Sequence, residues 1–481
     1  MDIPKILENK LGKPVAIFGG GVSGRAVEGF LRGNGFSAKV YDKNAPGAGT
    51  RFDMENAAEH DLVVFSPGFS KEHPWKDVAR RAGLLCLSEP DFAALFWQGT
   101  LPPVQRRERE TLDEFLARVD SRLGLTAVTG TNGKTTLTEF LSFALRRIGK
   151  DSLAVGNNGV AMSEMLSHAT PTSFRPICEI SSFQAEELRY FSPRCVLWTN
   201  FDEDHIDRHG SEENYFRAKF RLVECLERLR LIVGDFPREE DEAVRAVLAR
   251  RVLIVGESVA AAAARFGIAL PEWTQVATRA EVAGLVPAKS VFATFPQQEN
   301  YAIARRFWLA GGFREKDLVA AAEAFPPREH RLAKVRTLGG NGDGEPSVEF
   351  WDDSKGTNFH AVLAALETFA GKKIFWIGGG LGKGGDIAGF AARVGAKIER
   401  AFLIGSTAET LRAAFAEQGV PAEICPQLQN AVAASAHAAQ AAAADAGTDA
   451  VVLFSPGFAS FDMFSGYAER GARFVQCVAS L

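Results

Sequence analysis

Short apolar runs recur along the chain, each closed by glycine, proline or an acidic residue and separated by stretches of helical period. The first run opens "PVAIFGGGVSGRAVEGFL", passing from strand through glycines into a helix, and "AKVYD", "DLVVFSPG" and "GLLCLSE" follow it. This β-α-β alternation predicts a parallel sheet. From Leu125 the strand candidates are "TAVTG", "DSLAV", "PICEIS", "RCVLWTN", "LRLIVG" and "RVLIVG", then a helical tail through "QENYAIARRFWLAGG" and "EKDLVAAAEAF". From His330 they are "SVEFWD", "KKIFWIGG", "RAFLIG" and "AVVLFSPG". The pattern predicts three consecutive α/β domains over residues 1–98, 124–329 and 330–481. The first and third are Rossmann-like and the central one is of P-loop type. The charged stretch 99–123, with its Pro-Pro pair, reads as a linker or insertion carrying an exposed helix.

Composition narrows the class. A length of 481 residues suits about three domains, with 46% hydrophobic and 24% charged residues as in a globular protein. A net charge of -4 gives no basic field for nucleic acid. The six cysteines are scattered without a C-x-x-C pair, which fits reduced thiols rather than disulfides or zinc. The N-terminus has no signal-peptide core, and no apolar run approaches the roughly 18 residues of a membrane span. The alanine-rich run 430–446 reads as an amphipathic helix. These features predict a cytoplasmic protein that neither inserts into membranes nor binds nucleic acid.

Two glycine-rich loops carry candidate chemistry. Gly19, Gly21 and Gly24 satisfy G-x-G-x-x-G after a strand, and Asp42 ends the next strand. That pattern serves a nicotinamide dinucleotide or any other pyrophosphate ligand. The second loop, "TGTNGKTT", places Gly130, Thr131, Asn132 and Gly133 ahead of Lys134, Thr135 and Thr136. Its strand, turn and helix start aim backbone N–H groups at an anion. Lys134 would neutralise phosphate charge, and the threonine hydroxyls suit a Mg²⁺ ion and a phosphate. Glu179 ends the buried strand in "CEISSFQAEEL", where a carboxylate needs a partner such as Mg²⁺. His205 stands in "WTNFDEDHIDRHG". Lys219 lies beside Phe216 and Phe220 in "NYFRAKFRLVE", and a lysine there would ordinarily face solvent.

Taken together, "TGTNGKTT", "EISSFQ", "DEDHIDRHG", "YFRAK", "EHRL" and "WDDSKGTN" resemble the motifs of the Mur ligases, ATP-dependent amide-forming enzymes of peptidoglycan precursor synthesis. "SPG" at Ser66 to Gly68, "GGGLGKGGD" and "SPGFASFDMF" are similar to the D-glutamate-adding branch of that family. The resemblance implies a monomer acting on UDP-N-acetylmuramoyl-L-alanine and D-glutamate with ATP and two Mg²⁺ ions. Gly21, Val22, Ser23, Asp42, Lys43, Ser66, Gly68 and Asn157 would hold the UDP-sugar. Asn300, Arg331, Asp353 and Lys355 would join the loop 130–136 in binding ATP. Thr357, Lys383, Ser460, Phe461 and Tyr467 would bind D-glutamate. Lys134, Glu179, His205 and Lys219 would be catalytic, Lys219 as a carbamate, with Thr135, Glu179, His205 and Lys219 on the metals. Gly356 replaces an alanine of the family motif, and "SPGFAS" departs from the usual form. A nicotinamide oxidoreductase is disfavoured by the second phosphate loop, and a non-catalytic nucleotide-binding regulator by the intact set Lys134, Glu179, His205 and Lys219.

Overall fold

A computed structural model describes residues 3–98, 110–116, 124–167, 174–232, 251–293, 295–326, 329–340, 345–382 and 384–481. Three sheets follow one another along the chain. The first is parallel, built from β1 (Val15–Phe18), β2 (Ala38–Tyr41), β3 (Leu62–Phe65) and β4 (Leu85–Ser88) in the order β2-β1-β3-β4. The second comprises β5 (Thr126–Thr129), β6 (Ala154–Gly156), β7 (Ile177–Glu179), β8 (Cys195–Trp198), β9 (Val252–Gly256) and β10 (Gln275–Ala277). It too is parallel, ordered β10-β9-β8-β5-β7-β6. The third comprises β11 (Ala333–Gly339), β12 (Ser347–Asp352), β13 (Lys373–Gly378), β14 (Arg400–Leu403), β15 (Ala422–Ile424) and β16 (Ala450–Phe454), ordered β11-β12-β16-β13-β14-β15. Its edge strand β11 runs antiparallel to β12; the other pairings are parallel.

Every residue of β1, β3, β5, β8 and β16 is buried, as expected for parallel strands covered on both faces. In each of the first two sheets the strand order reverses at the strand that precedes a glycine loop. β1 lies between β2 and β3, and β5 between β8 and β7. That reversal opens a crevice at the carboxyl ends of the strands, where ligands bind in such sheets.

The chain forms two compact units. One comprises Met1–Phe201, Glu213–Val286 and Glu299–Glu323; the other comprises Asp202–Glu212, Pro287–Gln298 and Ala324–Leu481. Within the first, three buried charges of the N-terminal sheet region reach the central sheet region. The Lys76 ammonium meets Glu187 Oε1 at 3.1 Å. Glu89 Oε1 accepts from Ser163 N and Oγ, both at 2.6 Å. Asp91 accepts the N–H groups of Arg189, Tyr190 and Phe191.

Two sequence expectations need correction. "LRLIVG" does not begin a strand, because the helix Glu212–Ile232 runs through its first four residues; the last two lie outside the described residues. The apolar alternation there is too short to outweigh a helix already propagating from upstream. In the 99–123 stretch, residues 112–116 are helical but not wholly exposed: Thr111 and Glu114 form a reciprocal cap, and Phe115 is fully buried. None of the six cysteines forms a disulfide; Cys86 is half-buried and the other five are buried. Among the described residues no helix is long and apolar enough to cross a membrane.

Candidate active site

The glycine loop after β1 borders a cavity of about 420 Å³ lined by Gly19, Gly21, Val22, Ser23, Asp42, Lys43, Asn44, Ser66, Gly68, Phe69, His73 and Trp75. All the residues assigned to the UDP-sugar meet here except Asn157. The helix Val22–Gly33 starts without a side-chain cap, which leaves its first N–H groups for an anion. Gly24 is dictated by packing, since a Cβ there would sit 1.8 Å from the Gly19 carbonyl oxygen. Asp42 Oδ2 accepts from Gly20 N at 2.7 Å and Oδ1 from Asn44 N at 2.8 Å, and these bonds hold its pKa below the usual carboxylate value. Its carboxylate therefore shapes the loop as well as lining the cavity. Ser66 Oγ is buried without a partner.

In the central sheet the second loop leaves β5 at Gly130, whose φ of +145° excludes side-chain-bearing residues. A Cβ there would lie 1.9 Å from Thr199 Oγ1. Thr199 and Asn200 brace the loop: Asn132 N donates to Asn200 Oδ1 at 2.8 Å, and Thr199 Oγ1 donates to the Asn132 carbonyl at 2.6 Å. Asn300 packs against Gly133, so one residue assigned to ATP adjoins the phosphate loop. Thr135 and Thr136 occupy the first turn of the helix Lys134–Arg147.

Two lysines converge on one oxygen of this loop. Lys134 Nζ donates to the Gly130 carbonyl at 2.9 Å and to that of Thr131 at 2.8 Å. Lys219 Nζ, only 1% exposed, donates to the same Gly130 carbonyl at 2.7 Å and lies 4.6 Å from the Tyr215 ring centre. Lys219 is thus not the solvent-facing lysine that its helix would ordinarily suggest. Glu179 ends β7 opposite Val128 of β5 and is 1% exposed. Its Oε1 accepts from Asn157 Nδ2 at 3.1 Å, whereas Oε2 is buried without a partner. An anionic oxygen left so beside a phosphate loop fits a cation. Among the described residues no three His, Cys, Asp or Glu side chains gather to hold a metal by themselves. Mg²⁺ rarely needs such a cage, because one or two carboxylates, substrate phosphates and water satisfy it.

In the other unit, His205 adopts φ of +55° ahead of the short helix Ile206–His209, and its Nε2 lies 3.7 Å from Asp204 Oδ2. Asp204 Oδ2 also accepts from Asn358 Nδ2 at 3.0 Å. His205, Thr357 and Asn358 share a small cavity of about 40 Å³ with Glu203, Phe359, Gly384, Gly385 and Phe458. Ser460 is buried nearby in sequence, Phe461 is 70% exposed, and Tyr467 begins the helix Tyr467–Ala479. None of these three lines that cavity. Lys383 lies outside the described residues. Lys355 stacks its ammonium 3.9 Å from the Tyr467 ring centre. Asp353 Oδ2 accepts from Ser455 Oγ at 2.7 Å. Burial pushes the Asp353 pKa up to about 7; Asp352 adds to the rise, while Ser455 and Arg331 oppose it.

One residue of this unit escaped the sequence reading. Arg470 is 1% exposed and donates to Ser354 Oγ at 3.1 Å, the Ser354 carbonyl at 2.8 Å and the Phe458 carbonyl at 3.1 Å. It therefore ties the loop after β12, which carries Thr357, to the loop after β16, which carries Ser460. Burial lowers its pKa to about 10 against the pull of Asp462, Asp352 and Asp353.

Residues 128–267 match the Mur ligase middle domain family, and residues 336–458 the Mur ligase glutamate ligase domain. The UDP-N-acetylmuramoylalanine--D-glutamate ligase of Rhizobium meliloti (strain 1021) is 32% identical, with 98% of this chain and 97% of that one covered. Its namesake from Geobacter metallireducens is 30% identical over 98% of both chains. Among solved structures, a pseudomurein peptide ligase type C from Methanothermus fervidus aligns with a TM-score of 0.53 at 11% identity, covering 98% of this chain and all of the other. The UDP-N-acetylmuramate-alanine ligase MurC of Thermotoga maritima aligns with a TM-score of 0.51 at 16% identity, covering 97% and 99%. Those two carry the fold; the full-length relatives carry the family, and the chain belongs to the Mur ligases, in the D-glutamate ligase branch.

Proposed function

We propose that this chain joins D-glutamate to UDP-N-acetylmuramoyl-L-alanine at the expense of ATP, in peptidoglycan precursor synthesis. The observation that carries this reading is the phosphate loop of β5, with Lys134 and Lys219 on one carbonyl and the unpartnered Glu179 oxygen on the adjacent strand. The substrate carboxylate attacks the γ-phosphorus, giving an acyl phosphate and ADP. The D-glutamate amine then attacks the acyl carbon; phosphate leaves as the amide forms, and the amine loses a proton. Lys134 is placed to exchange its loop carbonyls for phosphate oxygens and to stabilise charge in transfer. The cavity beside β1 takes the UDP end, with Gly21, Val22, Ser23, Asp42, Lys43, Ser66 and Gly68. Asn157, bonded to Glu179, takes the muramoyl arm. Residues 1–98, 124–329 and 330–481 serve the UDP-sugar, ATP and D-glutamate respectively, with 99–123 as an insertion.

Thr135, Glu179 and Lys219 would hold Mg²⁺, which when bound screens the triphosphate charge; His205 is carried as a further ligand by the family resemblance. Carbamylation of Lys219 would leave one N–H for the Gly130 carbonyl and add two anionic oxygens suited to a metal. Phosphate release from ATP, measured with UDP-N-acetylmuramoyl-L-alanine and each amino acid in turn, tests the reading. Release should require D-glutamate. Turnover with L-alanine or a diamino acid in its place would refute the assignment.

A further inference from the structure

We infer that Lys76 is a positioning residue for the nucleotide-sugar substrate, holding the wall of the cavity beside β1 in register with the segment that follows Glu179. This rests on the reading of that cavity as the UDP-sugar site. Lys76 sits in the helix Pro74–Arg81 and is 1% exposed. Its ammonium donates to the Phe69 carbonyl at 3.1 Å and to Glu187 Oε1 at 3.1 Å, and it lies 3.5 Å from the Phe65 ring centre. Phe69, His73 and Trp75 line the cavity. Glu187 stands just beyond the short helix Ser182–Ala185, which starts three residues after Glu179. One ammonium thus joins the substrate wall to the segment just beyond the helix that follows Glu179, the carboxylate assigned above to the cation.

Stability alone is a poor reason for this arrangement, because two well-packed apolar side chains commonly hold such a site as well as a buried ion pair does. The pair differs from an apolar contact in direction. Three partners at fixed angles around one nitrogen set the placement of the loop 66–73 against residue 187. The acids Glu89 and Asp91 grip the same central region at Ser163 and at residues 189–191, none of which lines the cavity. Placement matters here because the substrate spans the distance from the UDP cavity to the phosphate loop. A shift of about 1 Å at the reacting atoms can cost roughly 100-fold in rate. Burial lowers the Lys76 pKa and Glu187 opposes that, so the ion pair depends on both members.

Three variants test the inference: Lys76→Met, Glu187→Gln and the double variant Lys76→Met/Glu187→Met. UDP binding is measured by calorimetry and turnover with all substrates saturating. Lys76→Met should lower kcat by about tenfold or more while UDP affinity stays within about twofold, because the cavity loops themselves remain. The double variant should regain stability but stay about as slow as Lys76→Met, since two thioether chains refill the space without restoring the directed contacts. Glu187→Gln keeps the volume and should lower kcat by about threefold, which decides the matter if Lys76→Met does not fold. Wild-type kcat in both single variants overturns the inference. So does a loss of UDP affinity that matches the loss of kcat, or a double variant that regains most of the wild-type rate. The D-glutamate requirement of the wild-type enzyme is a separate result, so failure of the functional reading and failure of the role of Lys76 are told apart.

Discussion

Glu89 offers a test of the buried charges that needs no substrate. It opens the helix Glu89–Gln98, is 1% exposed, and its Oε1 accepts from both the N–H and the hydroxyl of Ser163. Burial raises its pKa from 4.5 to about 7, with Ser163 opposing the rise. A carboxyl whose pKa is raised on folding favours the folded state while it is protonated. That contribution is complete below pH 4.5 and is lost as pH climbs through 7. The rise of about 2.5 units, at about 1.4 kcal/mol each, amounts to roughly 3 kcal/mol. Glu89→Gln keeps an acceptor for Ser163 and cannot ionise. Urea unfolding followed by tryptophan fluorescence, with Trp97 in the adjoining core, should therefore show the wild type losing about 3 kcal/mol relative to the variant between about pH 4.5 and 8.5. Stability curves that run parallel across that range would refute the reasoning, because Glu89 would then be ionised at no cost.

Two further outcomes follow from the site. Lys219→Ala should be nearly inactive, and short carboxylic acids should restore part of the phosphate release if the missing group is a carbamate; full activity without any acid would return Lys219 to a packing role. Arg470→Met removes three hydrogen bonds to Ser354 and Phe458 and should raise the KM for D-glutamate by about tenfold while changing that for ATP less than about twofold, read from separate saturation curves.

The sheets were legible because buried parallel strands are continuous apolar runs, and the phosphate loop because strand, glycine turn and helix start are adjacent in the chain. Glu179 was legible for a similar reason: a carboxylate closing an apolar strand is out of place unless something meets it. Lys76, Glu89, Asp91 and Arg470 were not. Their partners stand 111, 74, about 100 and 116 residues away, and nothing local distinguishes them from charges on a wet helix face. β11 is not legible because its "AKVRTLG" alternates as a half-exposed edge strand does, and β10 and β15 because their three residues are mostly or wholly half-exposed and form no apolar run. The amino-acid pocket is legible only in part. Thr357 lines the small cavity while Ser460, Phe461 and Tyr467 sit outside its lining, since family motifs give an order along the chain and not the direction of a side chain.

The thiols described with the fold make this protein a convenient substrate for site-directed labelling. Cys178, Cys195, Cys225, Cys425 and Cys477 are buried, and Cys86 is half-covered. Burial raises the pKa of Cys86, Cys178, Cys195 and Cys477, and that of Cys425 to about 11. Maleimides and disulfide reagents attack the thiolate, so the native chain is almost silent to them near neutral pH. Replacing Cys86 by serine leaves a background of buried sulfurs only. A single Phe461→Cys, at a position 70% exposed on the loop after β16, then accepts one dye, whose fluorescence reports the surroundings of that loop as each substrate is added.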